Sequence, residues 1–126
     1  MRGDAALREL AREDGLEIII RGGCMAPLIA DGERVRIVPA RFYWPGDVVV
    51  FRGADGRLTA HRLLGYRPRS GGLAVVTRGD ACVVHDAPVP LAAVLGRAGG
   101  VRPSAAVRLA CLCRFFGLVL ARLGRR

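Results

Sequence analysis

One thiol, Cys24, follows two glycines and precedes Met-Ala-Pro in "GGCMAP" (22–27), and the chain also carries His61, His85, Asp80 and Asp86. These are the residue types of thiol catalysis. An imidazole takes the thiol proton and holds the thiolate as an ion pair, while a carboxylate fixes the imidazole's tautomer and orientation. The Gly22–Gly23 pair permits backbone angles closed to other residues and leaves the amide of residue 24 open to a ligand. Pro27 fixes the exit of the turn. The N–H of Cys24 is therefore a candidate oxyanion donor beside its own sulfur, and Gly23, Met25 and Pro27 complete the candidate oxyanion and substrate-binding turn.

Taken alone, Cys24 reads as an inert core thiol and His61 as a satisfied structural histidine. A thiol opposite an imidazole changes that balance. His61 lies in "LTAHRLL", a strand pattern that puts Thr59 and Leu63 on its own face. In "TRGDACVVHDAP" (77–88), Gly79-Asp80 is a turn carboxylate and Asp86 follows six residues on. Either could accept the imidazole N–H, and each could instead do no more than cap a turn. His85 is a rival base, placed second by its loop context.

The elements that must position these groups are short. "DAALRELARED" (4–14) reads as an amphipathic helix with Asp4 as N-cap and Gly15 as stop. "LEIIIR" (16–21) and "ERVRIV" (33–38) alternate like strands. "PGDVVVF" (45–51) is a turn leading into a buried strand, paired with 58–66 across a hairpin marked by Asp55-Gly56. Residues 72–79 supply another strand and 90–101 a last one. Such spacing predicts a mainly β fold, a small twisted, coiled sheet flanked by a short N-terminal and a C-terminal helix. From Ser104 the period becomes helical. Arg108, Arg114, Arg122, Arg125 and Arg126 share one side of the wheel, while Leu109, Leu112, Cys113, Phe116, Val119, Leu120 and Leu123 cover the other. Residues 1–103 are expected to form the catalytic domain and 104–126 a basic amphipathic helix. Docking on the domain is one use for that helix, and lying on an anionic membrane surface is the favoured one. Arg108 and Arg114 sit badly for a true span.

Composition narrows the chemistry. With 126 residues the chain is one domain, and 52% hydrophobic residues with 17 glycines suit a turn-rich β domain. All basic residues are arginine, and lysine, asparagine and glutamine are missing altogether. A lysine general base and a side-chain amide in an oxyanion hole are thereby excluded. Residues 101–126 hold six arginines and no acid, against fourteen arginines and eleven acids in 1–100. The basic excess thus belongs to the C-terminal helix, and no nucleic acid is expected as a partner. Cys24, Cys82, Cys111 and Cys113 form no CxxC pair, zinc pattern or disulfide framework. No metal or cofactor is expected. The acids within residues 1–17 argue against a secretory signal, so peripheral membrane association or a cytoplasmic location is expected.

In this order the motifs resemble a known family. "GGCMAP" is similar to the Gly-x-Ser-Met-x-Pro nucleophile box of type I signal peptidases and of the self-cleaving SOS-response repressors. "PGDVVVF", "LTAHRLLG", "TRGDACVVHDAP" and "VLGRAGGV" resemble that family's Gly-Asp-Val-Val strand, base-bearing strand, Gly-Asp box and closing segment. His61 resembles the endoplasmic-reticulum, archaeal and sporulation-type branch, where histidine replaces the bacterial lysine. The resemblance implies Cys24 as nucleophile in place of serine, His61 as general base, and Asp80 or Asp86 as orienting acid. It also implies a peptidase acting on a leader or signal-type peptide precursor. The alternative is a non-catalytic peptide-binding or regulatory module on the same fold. A repressor fragment is disfavoured, because residues 1–17 offer one helix where a helix-turn-helix needs two. The family's N-terminal anchor has no counterpart here.

Overall fold

The computed structural model describes residues 6–7, 9–10, 15–53 and 56–124. Seven antiparallel strands form a single curled half-barrel sheet: β1 (Leu16–Ile19), β2 (Arg34–Val38), β3 (Val48–Arg52), β4 (Leu58–Arg69), β5 (Gly72–Arg78), β6 (Val89–Pro90) and β7 (Val94–Ala98). Their order across the sheet is β1-β2-β7-β3-β4-β5-β6. One long helix, α1 (Ala105–Leu123), follows. The fold is mainly β, as the strand periodicity predicts. Of the helix expected over 4–14, Ala6, Leu7, Glu9 and Leu10 are helical, while Asp4 and the remainder lie outside the described residues, as does Asp55 of the hairpin signal.

Alternation sorts the strand residues onto two faces. Val48, Val50 and Ala60 join Ile18, Ile20, Val35, Ile37, Leu95 and Ala98 in one cluster. Val49, Phe51 and Leu63 join Val75, Val94 and Tyr43 in the other. His61 pairs across the ladder with Val49. Residues 60–65 of β4 are all buried, Leu64 packs against the helix, and the register with β5 shifts between Leu63 and Gly65.

Two expectations need correction. The single strand expected over 90–101 is two strands separated by a 3₁₀ turn, Leu91–Ala93. Val89–Pro90 pairs with β5 at the sheet edge, where proline's missing N–H is tolerated. Val94–Ala98 crosses to lie between β2 and β3. The strand expected over 58–66 runs on to Arg69, because its hairpin with β5 closes only at Gly71, whose φ is +85°.

Helix α1 starts at an N-cap where the Ser104 hydroxyl accepts the Val107 N–H at 3.2 Å. It docks through Val107, Cys111, Phe115 and Leu118 onto Leu64 and Val76. Arg108 Nη1 adds hydrogen bonds at 3.0 Å to Pro45 O and to the Asp47 carboxylate. Gly46, at φ +99°, has no room for a Cβ, which would stand 2.9 Å from Arg108 Cγ. The Leu109, Phe116, Leu120 and Leu123 side of the helix remains exposed. Among the described residues no helix is long and apolar enough to cross a membrane.

The closest helix–sheet approach is at Gly65, where an added Cβ would lie 2.6 Å from the Phe115 ring. Gly65→Ala is expected to cost about 1–3 kcal/mol by overpacking. Denaturant unfolding checks this, and in a Phe115→Ala background the increment should largely vanish, since the two positions share one contact.

Candidate functional site

Cys24 projects from a turn built to hold it out. Gly22, at φ +93°, donates its N–H to the Asp31 side chain at 2.9 Å, and Gly32 N–H returns to Ile20 O at 2.7 Å. Within that closed loop Met25 and Ile29, four residues apart, are buried as its keel in the first cluster, while Cys24 is exposed. Met25 is thus a buried anchor of the turn that also lines the groove beside Cys24. Its Sδ accepts the Asp80 N–H at 3.3 Å. Ala81 N–H donates to Cys24 O at 2.8 Å, which ties the 79–82 turn to the thiol-bearing turn. Gly23 and Pro27 are exposed on the same turn.

His61 is buried and its ring meets Phe51 edge-on at 6.0 Å. Its Nδ1 is hydrogen-bonded to Asp86 Oδ2. That carboxylate is itself positioned by β5: Thr77 Oγ1 donates to Asp86 Oδ2 at 2.7 Å, and Asp86 N–H donates to Thr77 O at 2.8 Å. The other ring nitrogen, Nε2, is buried without a hydrogen-bond partner among the described residues. A buried polar atom left open is costly and asks for an explanation. The Cys24 thiol supplies one. It is near enough for thiol and imidazole to shift each other's pKa, although no hydrogen bond of ordinary length is closed. Catalytic hydrogen bonds are commonly long before substrate binds.

The electrostatics favour an ion pair. Interaction with His61 is the main influence holding the Cys24 thiol below its ordinary value of 9.0, and the Cys82 thiol adds to it. Burial and the Asp86 charge oppose more weakly. Burial pushes His61 down, but the hydrogen bond with Asp86 and the presence of Cys24 outweigh it, so its pKa lies above 6.5. Burial likewise raises Asp86, and the hydrogen bonds from His61 and Thr77 bring it below its usual range.

Asp80, the other candidate for orienting the base, does not meet the imidazole. Both its oxygens are taken by the buried Arg62, from Nε at 3.1 Å and Nη2 at 2.6 Å. The reason is strand geometry. Arg62 follows His61 on β4 and so points to the opposite face, toward the helix, where it also donates to Gly46 O at 2.9 Å. Asp80 is therefore a brace for the turn, and Asp86 is the carboxylate at the base. The rival His85 lines a separate hollow of about 700 Å³ beside the C-terminal half of α1.

Cys24, His61 and Asp86 line one groove of about 730 Å³, walled by Ile20–Gly22, Phe51–Gly53, Arg57–Ala60 and Ala87–Pro90. Sequence reasoning overlooked Thr77, whose signal is a hydroxyl at the end of the apolar run "LAVV", and Arg62, the cation beside the base. It overlooked Cys82 as well, for which spacing carries no signal. Among the described residues no three His, Cys, Asp or Glu side chains converge as a metal site. No protein-family model matches the chain, and no curated protein matches it.

Replacing Asp86 should separate its role from that of Asp80. In Asp86→Asn, an amide N–H facing Nδ1 forces the proton onto Nε2 and removes the acceptor for an imidazolium. His61 then falls and Cys24 rises, because weakening of the hydrogen bond with His61, the largest influence on the thiol, outweighs relief from the Asp86 charge. The pH midpoint for Cys24 alkylation by iodoacetamide should move up. Asp80→Ala should leave that midpoint in place and cost about 2 kcal/mol of stability, since it strands a buried arginine.

Proposed function

We propose that the protein is a thiol peptidase that cleaves a leader or signal-type peptide through Cys24, His61 and Asp86. One observation carries the reading: His61, its Nδ1 held by the Asp86 carboxylate and its buried Nε2 unpartnered among the described residues, lines one groove with the exposed Cys24. His61 takes the thiol proton and Cys24 Sγ attacks the scissile carbonyl. The oxyanion is met by main-chain N–H groups of the Gly23–Met25 turn. Collapse forms a thioester as the imidazolium gives its proton to the departing amine. Water, deprotonated by the same nitrogen, then attacks the thioester and returns the thiol. Asp86 stabilises the imidazolium throughout without itself taking the proton. Main-chain segments on both walls of the groove suit an extended peptide bound by backbone hydrogen bonds. The resemblance of the motifs to the histidine-bearing signal peptidases supports the same reaction class.

The test is cleavage of a leader-type peptide by wild type and Cys24→Ala, with iodoacetamide labelling in parallel. Cys24→Ala should lose activity by on the order of 10³-fold or more, and Asp86→Asn by on the order of 10²–10⁴-fold. Equal cleavage by wild type and Cys24→Ala overturns the peptidase. Peptide binding with an unreactive Cys24 would instead favour a non-catalytic binding module.

We also propose that the exposed side of α1 seats the protein on an anionic membrane surface. Leu109, Phe116, Leu120 and Leu123 are all more than half exposed, and the segment carrying them has six arginines and no acid. Apolar side chains entering the headgroup layer and arginines beside it make the two-part binding expected of an interfacial helix. Full-length protein should float with phosphatidylglycerol-containing vesicles and less with phosphatidylcholine alone. The double variant Phe116→Glu/Leu120→Glu should stay unbound, and equal flotation of this variant and wild type overturns the assignment.

A further inference from the structure

The second thiol beside Cys24 has no part in peptide cleavage. An ideal Cβ on Gly79 would stand 2.9 Å from Cys82 Sγ and 3.0 Å from Cys24 Cβ, so glycine is what lets the two cysteines face each other across this backbone. The approach is held from both ends. Ala81 N–H donates to Cys24 O at 2.8 Å, Cys82 N–H to Gly79 O at 2.9 Å, and Arg78 Nε to Cys82 O at 2.6 Å. Both cysteines lie outside regular strands, on turn and loop backbone. Cys24 is exposed and Cys82 half-buried, so a small oxidant reaches the first before the second. Cys111 is buried under α1 and Cys113 lies on the helix, so neither shares this pocket.

We infer that Cys24 and Cys82 form a reversible disulfide site, in which Cys82 captures the sulfenic acid that a hydroperoxide makes on Cys24. The inference rests on the reading of Cys24 as an activated thiol, and not on peptide cleavage. In the first step the Cys24 thiolate attacks one peroxide oxygen, the S–O bond forms, the O–O bond breaks, and the departing alkoxide takes the proton from the His61 imidazolium. In the second, Cys82 gives its proton to the neutral imidazole and attacks Cys24 Sγ. The S–S bond forms, the S–O bond breaks, and the hydroxide leaves as water with that proton. Two thiols and one hydroperoxide thus give a disulfide, an alcohol and water, a two-electron oxidation of the pair. A disulfide demands Cβ atoms about 3.5–4.5 Å apart, a separation that the backbone sets, and rotation about χ1 then turns the two sulfurs toward each other. The pairing stops oxidation at a level a dithiol reverses, whereas a nucleophile without a partner would proceed to irreversible sulfinic acid.

The test treats the full chain with one equivalent of hydrogen peroxide near neutral pH, blocks remaining thiols with N-ethylmaleimide, and maps the non-reduced peptides by mass. Wild type should lose two alkylatable thiols, yield a Cys24–Cys82 cross-linked peptide, and recover both thiols with dithiothreitol. Cys82→Ser should trap Cys24 sulfenic acid with dimedone and, on further peroxide, accumulate roughly tenfold more sulfinic Cys24 than wild type. Wild type that reaches sulfinic Cys24 with Cys82 still alkylatable overturns the pair, as does linkage of Cys24 to Cys111, Cys113 or a second chain. Iodoacetamide alkylation of Cys24, measured against exposed Cys113 on the same chain, separates the two readings. Faster labelling of Cys24 without the disulfide overturns the pair alone. The disulfide with slow labelling keeps the pair and overturns the activated thiol.

Discussion

Two neighbouring residues of β4 hold the 77–88 segment from opposite sides of the sheet. His61 points into the groove and binds Asp86, while Arg62 points toward α1 and binds Asp80. Successive strand residues cannot face the same way, so the two carboxylates are separated by the pleat itself. The separation matters electrostatically. With both acids beside one imidazole, the second charge would raise the thiol's pKa and oppose the thiolate that the proposed mechanism uses. Taken up by a buried guanidinium, Asp80 is removed from the groove and put to use as a brace. That brace reaches the turn bearing Cys24, since the Asp80 N–H meets Met25 Sδ and the next residue's N–H meets Cys24 O.

The same linkage extends to the helix. Arg62 donates to Gly46 O, Asp47 beside it accepts from Arg108, and Gly46 leaves space for the helix to come close. The Gly-Asp turn before β3 thus fixes where α1 begins, and α1 in turn covers the face on which Arg62 and Asp80 are paired. A buried ion pair adds little net stability over apolar packing, but it specifies one arrangement, because any other leaves a charge stranded.

Much of this was legible in the sequence. Alternating runs such as "ERVRIV" and the glycines flanking them mark strands because one face of each must be buried. The "GGC" turn is legible because few other sequences reach its backbone angles. "PVPLAAVLGRA" was not resolved into two strands, since a continuous apolar run has no period to say where the chain changes neighbours. Asp80 and Asp86 were left as equals for a similar reason: loop residues have no fixed facing, and the choice between them depends on Arg62, whose side is known only once β4 is placed. The helix divides its apolar residues between two sides. Its broad apolar side, Leu109 through Leu123, is the exposed one, and the narrower row of Val107, Cys111, Phe115 and Leu118 makes the contact. A wheel ranks sides by apolarity, whereas docking selects the row that fits against Gly65.

The composition bears on why sulfur can serve here. The chain has no lysine, asparagine or glutamine, so polar contacts to a reacting carbonyl come from main-chain N–H groups, arginine, histidine, hydroxyls or thiols. Serine with histidine alone would have to lose a proton from a very weak acid during attack. In the proposed mechanism a thiol shifted down by an imidazole shifted up gives up its proton more readily than a serine hydroxyl would. The cost of that arrangement is exposure of a thiolate to oxidants, which serine does not suffer. Cys82, set across Gly79 from the same sulfur, lies where it can limit that cost. The proposed nucleophile and its proposed protection therefore depend on one local feature, a turn whose glycine lets two side chains approach where any other residue would separate them.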